Sequence, residues 1–271
     1  FYVGGPNSAM ARNMFDGLVN QDENQQIQPA LAESWTLVDD TTWEFRLRDG
    51  VTFHSGEPFN ADDVVYTVEF VADPANQLRQ QEADFGNIAS VEKVDDYTVR
   101  VHLRRPDPTA EFLFASRLLI WPSEYTEANG HLIHGSAPVG TGPYAIATLE
   151  PGSRYVLRRY DDYFGAVRPV PGIGTISFRV IPEIQTQVAE IMAGGIDLSL
   201  DLTQEDAAAL TGFPGIDISF GDTTRYFYIS MDATGRSGET PLTDPVVRRA
   251  IAHAIDREAI ATRLVGGGPT L

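Results

Sequence analysis

Two histidines at a short spacing are the side chains best placed to bind a metal ion. His131 and His134 form an H-x-x-H pattern, which on a helix would bring two imidazoles together. The neighbouring Asn129, Gly130 and Gly135 disfavour a helix. The pattern therefore favours loop histidines exposed to solvent, and we predict no metal site.

Acidic pairs and one further histidine are the candidates for acid–base chemistry. Catalytic carboxylates face each other across a cleft, whereas the acidic pairs here are adjacent in sequence at predicted turns and helix starts: Asp39-Asp40, Asp62-Asp63, Asp95-Asp96 and Asp161-Asp162. Helix caps and turns are the favoured roles for these carboxylates. His54 precedes Ser55-Gly56, which indicates a turn histidine rather than a catalytic base.

The motifs that mark enzymes do not occur in the sequence. There is no G-x-S-x-G elbow, no phosphate-binding loop, no H-E-x-x-H pair and no cysteine. Gly140-Thr141-Gly142 lacks the third glycine of a dinucleotide-binding turn and precedes Pro143, so we predict a loop. The residues alone indicate a soluble α/β protein with no recognisable active site, and we predict that it is not an enzyme and carries no cofactor.

Length and charge narrow the remaining classes. A chain of 271 residues is long enough for one large or two ordinary domains. Its net charge of -18 argues against a nucleic-acid partner, because phosphate contacts need clustered basic residues. Phe1 to Val3 is typical of the middle of a strand, and residues 266–269 directly follow a predicted helix. We therefore expect a piece of a longer protein, with its signal peptide upstream.

Helix and strand patterns alternate, which indicates the α/β class. We predict helices over 9–19, after Asn60, after Thr203 and after Asp244, since the last three residues are good N-caps. Alternation predicts strands at 42–48 and 176–180, a hairpin over 90–103, and short strands at 196–200 and 226–231. Residues 104–143 are predicted to be irregular because they are rich in proline and glycine.

Five segments occur in a fixed order along the chain: ALAESW at 30–35 with WEFRLRDGVTFHSGEPFNADDV at 43–64, VGTGPY at 139–144, DDYF at 161–164, GID at 195–197, and DPVVRRAIAHAIDR at 244–257. Together they resemble the family 5 extracellular solute-binding proteins, which serve ABC importers of dipeptides, oligopeptides and nickel. Two positions depart from the family pattern. Residues 6–10 stand where the family has a Leu-Asp-Pro-like segment, and Asp232 stands where it usually has Asn.

The resemblance implies one lobe of a periplasmic-binding-protein-like fold (type II, cluster C). The first lobe would comprise 1–33 and 145–271, with an inserted α+β subdomain at 34–144, and the second, ligand-closing lobe would be absent. Such proteins close on a solute by hinge motion. The implied partners are a peptide or similar small solute, an ABC permease and its ATPase subunits, in the periplasm or another extracytoplasmic space.

The resemblance also suggests where a solute would bind. The candidates are the loop before the first helix (Asn7 and Ser8), the loop Gly140, Thr141 and Gly142, the entry to a strand (Thr224, Arg225 and Tyr226), and Arg117. Arg117 is included because nickel-chelate relatives have a ligand-facing arginine in a similar segment. Peptides are the leading solute class. A nickel chelate, an opine, an oligosaccharide, or a role as a ligand sensor are the alternatives.

Overall fold

The computed structural model describes residues 6–22, 24–78, 81–165, 168–200, 202–219 and 228–263. The chain divides into two compact units, Phe1–Val180 and Ile181–Leu271. The predicted division into a discontinuous lobe and an insertion at 34–144 remains a prediction.

The first unit is built around antiparallel sheets. A two-stranded ribbon pairs β1 (Val19–Gln21) with β2 (Ile27–Pro29). A four-stranded sheet has the order β3-β4-β6-β5, from β3 (Ala32–Asp39), β4 (Thr42–Leu47), β5 (Ile88–Asp95) and β6 (Thr98–Leu103). A three-stranded sheet follows in chain order, from β7 (Tyr144–Glu150), β8 (Arg154–Arg159) and β9 (Thr175–Arg179). Every strand pairing among the described residues is antiparallel.

Strand β4 shows how the sequence pattern produces the core. Trp43, Phe45 and Leu47 are buried on one face, while Arg46 is exposed on the other. Because side chains alternate across a strand, this pattern fixes which face of the sheet packs inward. Phe45 pairs with Val99 of β6, and both side chains are fully buried. The predicted strand and the predicted hairpin are confirmed.

Helix α2 (Ala61–Ala72) covers the four-stranded sheet and begins where its cap predicts. The Asn60 side chain accepts from the Asp62 N–H at 2.7 Å, and the Asp63 side chain accepts from the Asn60 N–H at 2.9 Å. This reciprocal capping box satisfies two backbone donors that a helix start leaves unpaired. Val64 and Val68 then lie buried one turn apart against the sheet.

The prediction for residues 104–143 is wrong, because this segment contains α4 (Ala110–Ser116), α5 (Ser123–Asn129) and a 3-10 turn (His131–Gly135). A further short helix, α3 (Gln81–Phe85), precedes β5. Tertiary burial stabilises these short helices. In α4, Phe114 is fully buried with its ring edge-on to Phe45, at a centroid distance of 5.0 Å.

Helix α1 (Pro6–Met14) ends earlier than the predicted 9–19. Gly17 forms an isolated bridge with Leu119, and the chain then enters β1 at Val19. A Cβ at position 17 would lie 2.6 Å from the Phe114 carbonyl oxygen. Contact with the segment after α4 therefore overrides the helical spacing of Met10, Met14 and Leu18.

The second unit contains the described helices α6 (Ile184–Met192), α7 (Gln204–Leu210), α8 (Pro245–Ala254) and α9 (Arg257–Arg263), with a 3-10 turn at Pro241–Thr243. Thr203 and Asp244 cap α7 and α8 as predicted. The strand predicted at 196–200 is wrong, since those residues join no ladder among the described residues. Of the strand predicted at 226–231, positions 226–227 lie outside the described residues, and 228–231 are not in a strand.

Candidate ligand-binding site

The loop Gly140-Thr141-Gly142 lies directly on the end of α1. The Gly142 N–H donates to the Met14 carbonyl oxygen at 2.9 Å. A Cβ at position 140 would lie 2.1 Å from the same oxygen. A Cβ at position 142 would lie 2.6 Å from the backbone carbonyl oxygen of Asn13. Only glycine permits such a close approach of two backbone segments. The two glycines are therefore required by packing against α1.

His54 holds the loop from the other side. The His54 N–H donates to the Gly140 oxygen at 2.9 Å, and the Gly140 N–H donates to Nδ1 of the ring at 3.3 Å. With Nδ1 accepting, Nε2 carries the proton and donates to the Gly142 oxygen at 2.8 Å. Burial lowers the pKa of His54, although the bond to Gly142 opposes this shift. A neutral ring suits the two bonds that its nitrogens make, and Tyr160 packs edge-on against it with 4.9 Å between the ring centroids.

Thr141 points into a buried polar cluster. Its side chain is fully buried, and Oγ1 donates to Asp16 Oδ2 at 3.2 Å. Asp16 is only 3% exposed, and its other oxygen pairs with the guanidinium of Arg168. Burial raises the pKa of Asp16, and the charge of Arg168 opposes that shift. Burial and Asp16 raise the pKa of Tyr163 to about 12, so its hydroxyl remains protonated in this cluster.

These contacts make the loop a rigid junction. The N–H groups of Gly140 and Gly142 and the hydroxyl of Thr141 are all engaged by the protein itself. The structure thus brings three of the predicted site residues together with the end of α1. Their contact with a solute remains a prediction.

The other predicted site residues are placed as follows. Asn7 and Ser8 lie in the first turn of α1, and the prediction of a loop there is wrong because the helix already begins at Pro6, a favourable first residue. Arg117 follows α4 with its side chain 39% exposed, and its Nε lies 3.9 Å from Asp84 Oδ1. Thr224, Arg225 and Tyr226 lie outside the described residues.

The H-x-x-H pair does not form the exposed loop that we predict. His131 is exposed, whereas His134 is 2% exposed and lies among aromatic rings, with Trp121 at 4.8 Å and Phe15 at 6.0 Å between centroids. Its Nε2 lies 2.9 Å from the Thr126 hydroxyl. The aromatic packing draws His134 inward. No cluster of three possible metal ligands occurs within the described residues.

Sequence reasoning missed Asp16, Tyr163 and Arg168. Asp16 lies 125 residues from Thr141 and 152 from Arg168. No local spacing signals a contact over such separations. Tyr163 belongs to the DDYF segment, which carries part of the family resemblance but has no spacing that signals this contact.

The mixed α/β fold matches about half the length of several solved solute-binding proteins. One is NikZ from Campylobacter jejuni in complex with Ni(L-His), with a TM-score of 0.75 and 25% identity, covering 93% of this chain and 50% of that one. Another is the oligopeptide-binding protein AppA from Bacillus subtilis in complex with a nonapeptide. Its TM-score is 0.76 at 22% identity, covering 99% of this chain and 53% of that one.

The chain belongs to the bacterial extracellular solute-binding proteins, family 5, whose profile (family 5 Middle) matches residues 26–271. The predicted family is confirmed, and it is a family of solute-binding proteins rather than of enzymes. The glutathione-binding protein GsiB of Escherichia coli O1:K1 / APEC is 29% identical over 266 residues, which are 97% of this chain and 50% of GsiB. The chain thus spans about half the length of the curated relatives it matches. No helix among the described residues is long and apolar enough to cross a membrane.

Proposed function

We propose that this chain is part of the extracytoplasmic solute-binding component of an ABC importer, and that the complete protein captures small peptides or peptide-like solutes. The observation that carries the proposal is family membership over residues 26–271. The peptide class is supported by the 29% identity to a protein named for binding glutathione, which is itself a tripeptide.

In the proposed mechanism, the solute is held between two lobes and no bond is made or broken. Closure would bury the solute and present one surface to a membrane permease and its ATPase subunits. A rigid junction at Gly140–Gly142 suits this role, because a surface that does not reorganise loses less free energy on binding. The proposed contacts remain Asn7, Ser8, the Gly140-Thr141-Gly142 loop, Arg117, and the segment from Thr224 to Tyr226.

A non-peptide solute is the second candidate. The similarity to NikZ, whose structure contains Ni(L-His), favours a small metal chelate. Both candidates keep the same fold and transport role and differ only in the groups that the site must recognise.

The first test is thermal unfolding of the complete protein, including any chain beyond these 271 residues, with di- to pentapeptides, glutathione and Ni(L-His). A solute at a hundred times its Kd stabilises the protein by about 2.7 kcal/mol. Stabilisation by peptides or glutathione supports the leading proposal, and stabilisation by Ni(L-His) alone supports the second.

Two results would overturn the proposal. One is the absence of stabilisation by every solute class, including opines and oligosaccharides. The other is turnover of generic ester or peptide substrates that is lost in His54→Gln, since a binding protein performs no such chemistry. Because His54 bonds to the backbone of Gly140 and Gly142, circular dichroism must first show that the variant is folded.

A further inference from the structure

Three arginines come together at the end of α1, in a protein whose net charge is -18. Arg12 lies in the last turn of the helix, and Arg168 donates from Nη1 to the Arg12 carbonyl oxygen at 3.0 Å. Arg117 is close enough to act on Arg12 electrostatically. The segment that carries Arg117 is held against the end of α1 by a hydrogen bond from the Ile120 N–H to the backbone carbonyl oxygen of Asp16 at 3.0 Å. The cluster thus concentrates positive charge against the overall sign of the chain.

Two of the three arginines have carboxylate neighbours. Arg168 pairs with the buried Asp16, and Arg117 lies 3.9 Å from Asp84. Arg12 has none among the described residues. Its Nε is buried and makes no hydrogen bond there, and no ion pair to its side chain is present in the described part of the chain. Arg12 as a whole is partly exposed.

An uncompensated guanidinium in this position is unfavourable. Burial lowers the pKa of Arg12, and the positive charges of Arg117 and Arg168 lower it further. A buried charge costs stability unless a partner of opposite sign accepts its hydrogen bonds. The guanidinium is planar and its fork of donors matches a carboxylate, which gives such a partner both charge and geometry.

We propose that Arg12 is the docking point for a carboxylate of the transported solute. This inference rests on the proposed function and narrows its solute class to small molecules with a free carboxylate, such as peptides with an unmodified C-terminus. Arg168 is a positioning residue, since it is held by Asp16 and in turn binds the backbone of Arg12.

The test compares Arg12→Gln with Arg46→Gln in the complete protein. Arg46 is exposed on the outer face of β4, so its substitution removes the same charge without touching the cluster. The probes are malonate, as a simple dicarboxylate, and Ala-Ala-Ala as the free acid and as the C-terminal amide. Thermal unfolding and calorimetric titration give the midpoint and the Kd.

Without solute, we expect the unfolding midpoint of Arg12→Gln to be equal to or above that of the wild type, because an unpaired charge is removed. Malonate should raise the midpoint of the wild type and of Arg46→Gln but not of Arg12→Gln. The Kd for Ala-Ala-Ala acid should increase at least tenfold in Arg12→Gln, while the Kd for the amide is unchanged.

Three outcomes would overturn the inference. A midpoint several degrees lower in Arg12→Gln without solute would show that Arg12 pairs with a carboxylate elsewhere in the complete protein. Equal stabilisation of Arg12→Gln and the wild type by malonate, or no stabilisation of either, would remove the docking point. Peptide binding that Arg12→Gln leaves intact refutes this inference and keeps the proposed function. Malonate binding through Arg12 without binding of any peptide, chelate or other solute keeps a carboxylate site at Arg12 but refutes the proposed function.

Discussion

Acidification should destabilise the first unit through His134. The aromatic rings of Phe15 and Trp121 lie around the His134 ring and exclude water from it. This burial lowers the pKa of His134 from 6.5 to about 4, and nearby positive charge such as that of His131 adds to the shift. In the unfolded chain the pKa returns to an ordinary value near 6.5. Between these two values the unfolded state binds more protons than the folded state, so stability falls as the pH falls.

The magnitude follows from the two pKa values. At pH 7.5 the ring is neutral in both states, and its full contribution is present. At pH 6 about 0.8 kcal/mol is lost, at pH 5 about 2 kcal/mol, and below pH 4 the loss approaches about 3.4 kcal/mol.

The assay is urea unfolding at pH 7.5, 6 and 5, followed by tryptophan fluorescence. All three tryptophans, Trp35, Trp43 and Trp121, lie in the first unit, so the signal reports that unit. The variant His134→Phe retains an aromatic ring but cannot be protonated. We expect the loss of stability between pH 7.5 and pH 5 to be smaller in this variant by about 2 kcal/mol. The matched control is His131→Gln, which alters an exposed histidine three residues away.

Equal pH dependence in the wild type and His134→Phe would refute this reasoning. So would a directly measured pKa of His134 above 6, obtained by NMR titration of the ring protons in the folded protein.

Four substitutions probe the packing and helix capping of the first unit, each measured by the same urea unfolding at pH 7.5. Gly140→Ala should cost at least about 2 kcal/mol, because its Cβ would lie 2.1 Å from the Met14 oxygen. Gly135→Ala, with open space around the new Cβ, should change stability by less than about 0.5 kcal/mol, and equal effects would contradict the close-approach argument. Asn60→Ala should lower the free energy of unfolding by about 1 kcal/mol, because α2 loses its N-cap. Phe45→Ala should cost about 3–5 kcal/mol as a large core truncation, and a value near 1 would show that the site is not in the core.

The parts of the fold that sequence predicts well are those fixed by neighbouring residues. Asn60 and Asp63 are three positions apart, and their capping box starts α2 where the pattern places it. The alternation of Trp43, Phe45 and Leu47 likewise fixes the inner face of β4. In both cases the determining interaction lies within one turn or one strand, so local spacing is sufficient.

The errors occur where a distant segment decides the structure. Phe114 makes α4 a stable helix by packing on Phe45, although proline and glycine are frequent in the surrounding sequence. Gly17 ends the helical path of α1 by bridging to Leu119. These contacts join residues about 70 to 100 positions apart, and no periodicity within one segment encodes them.

The candidate site likewise has one feature that local sequence predicts and others that depend on distant segments. The glycines at 140 and 142 mark a loop in the sequence, but the reason for them is the backbone of α1 and the ring of His54, which lies 86 positions away. Two segments of the family resemblance, the one containing His54 and the one containing Gly140, therefore form a single structural junction. Such a junction is needed for the fold whatever solute is carried. We therefore expect differences in specificity to come from side chains beside it, and we propose Arg12 as one of them because its charge is not compensated among the described residues.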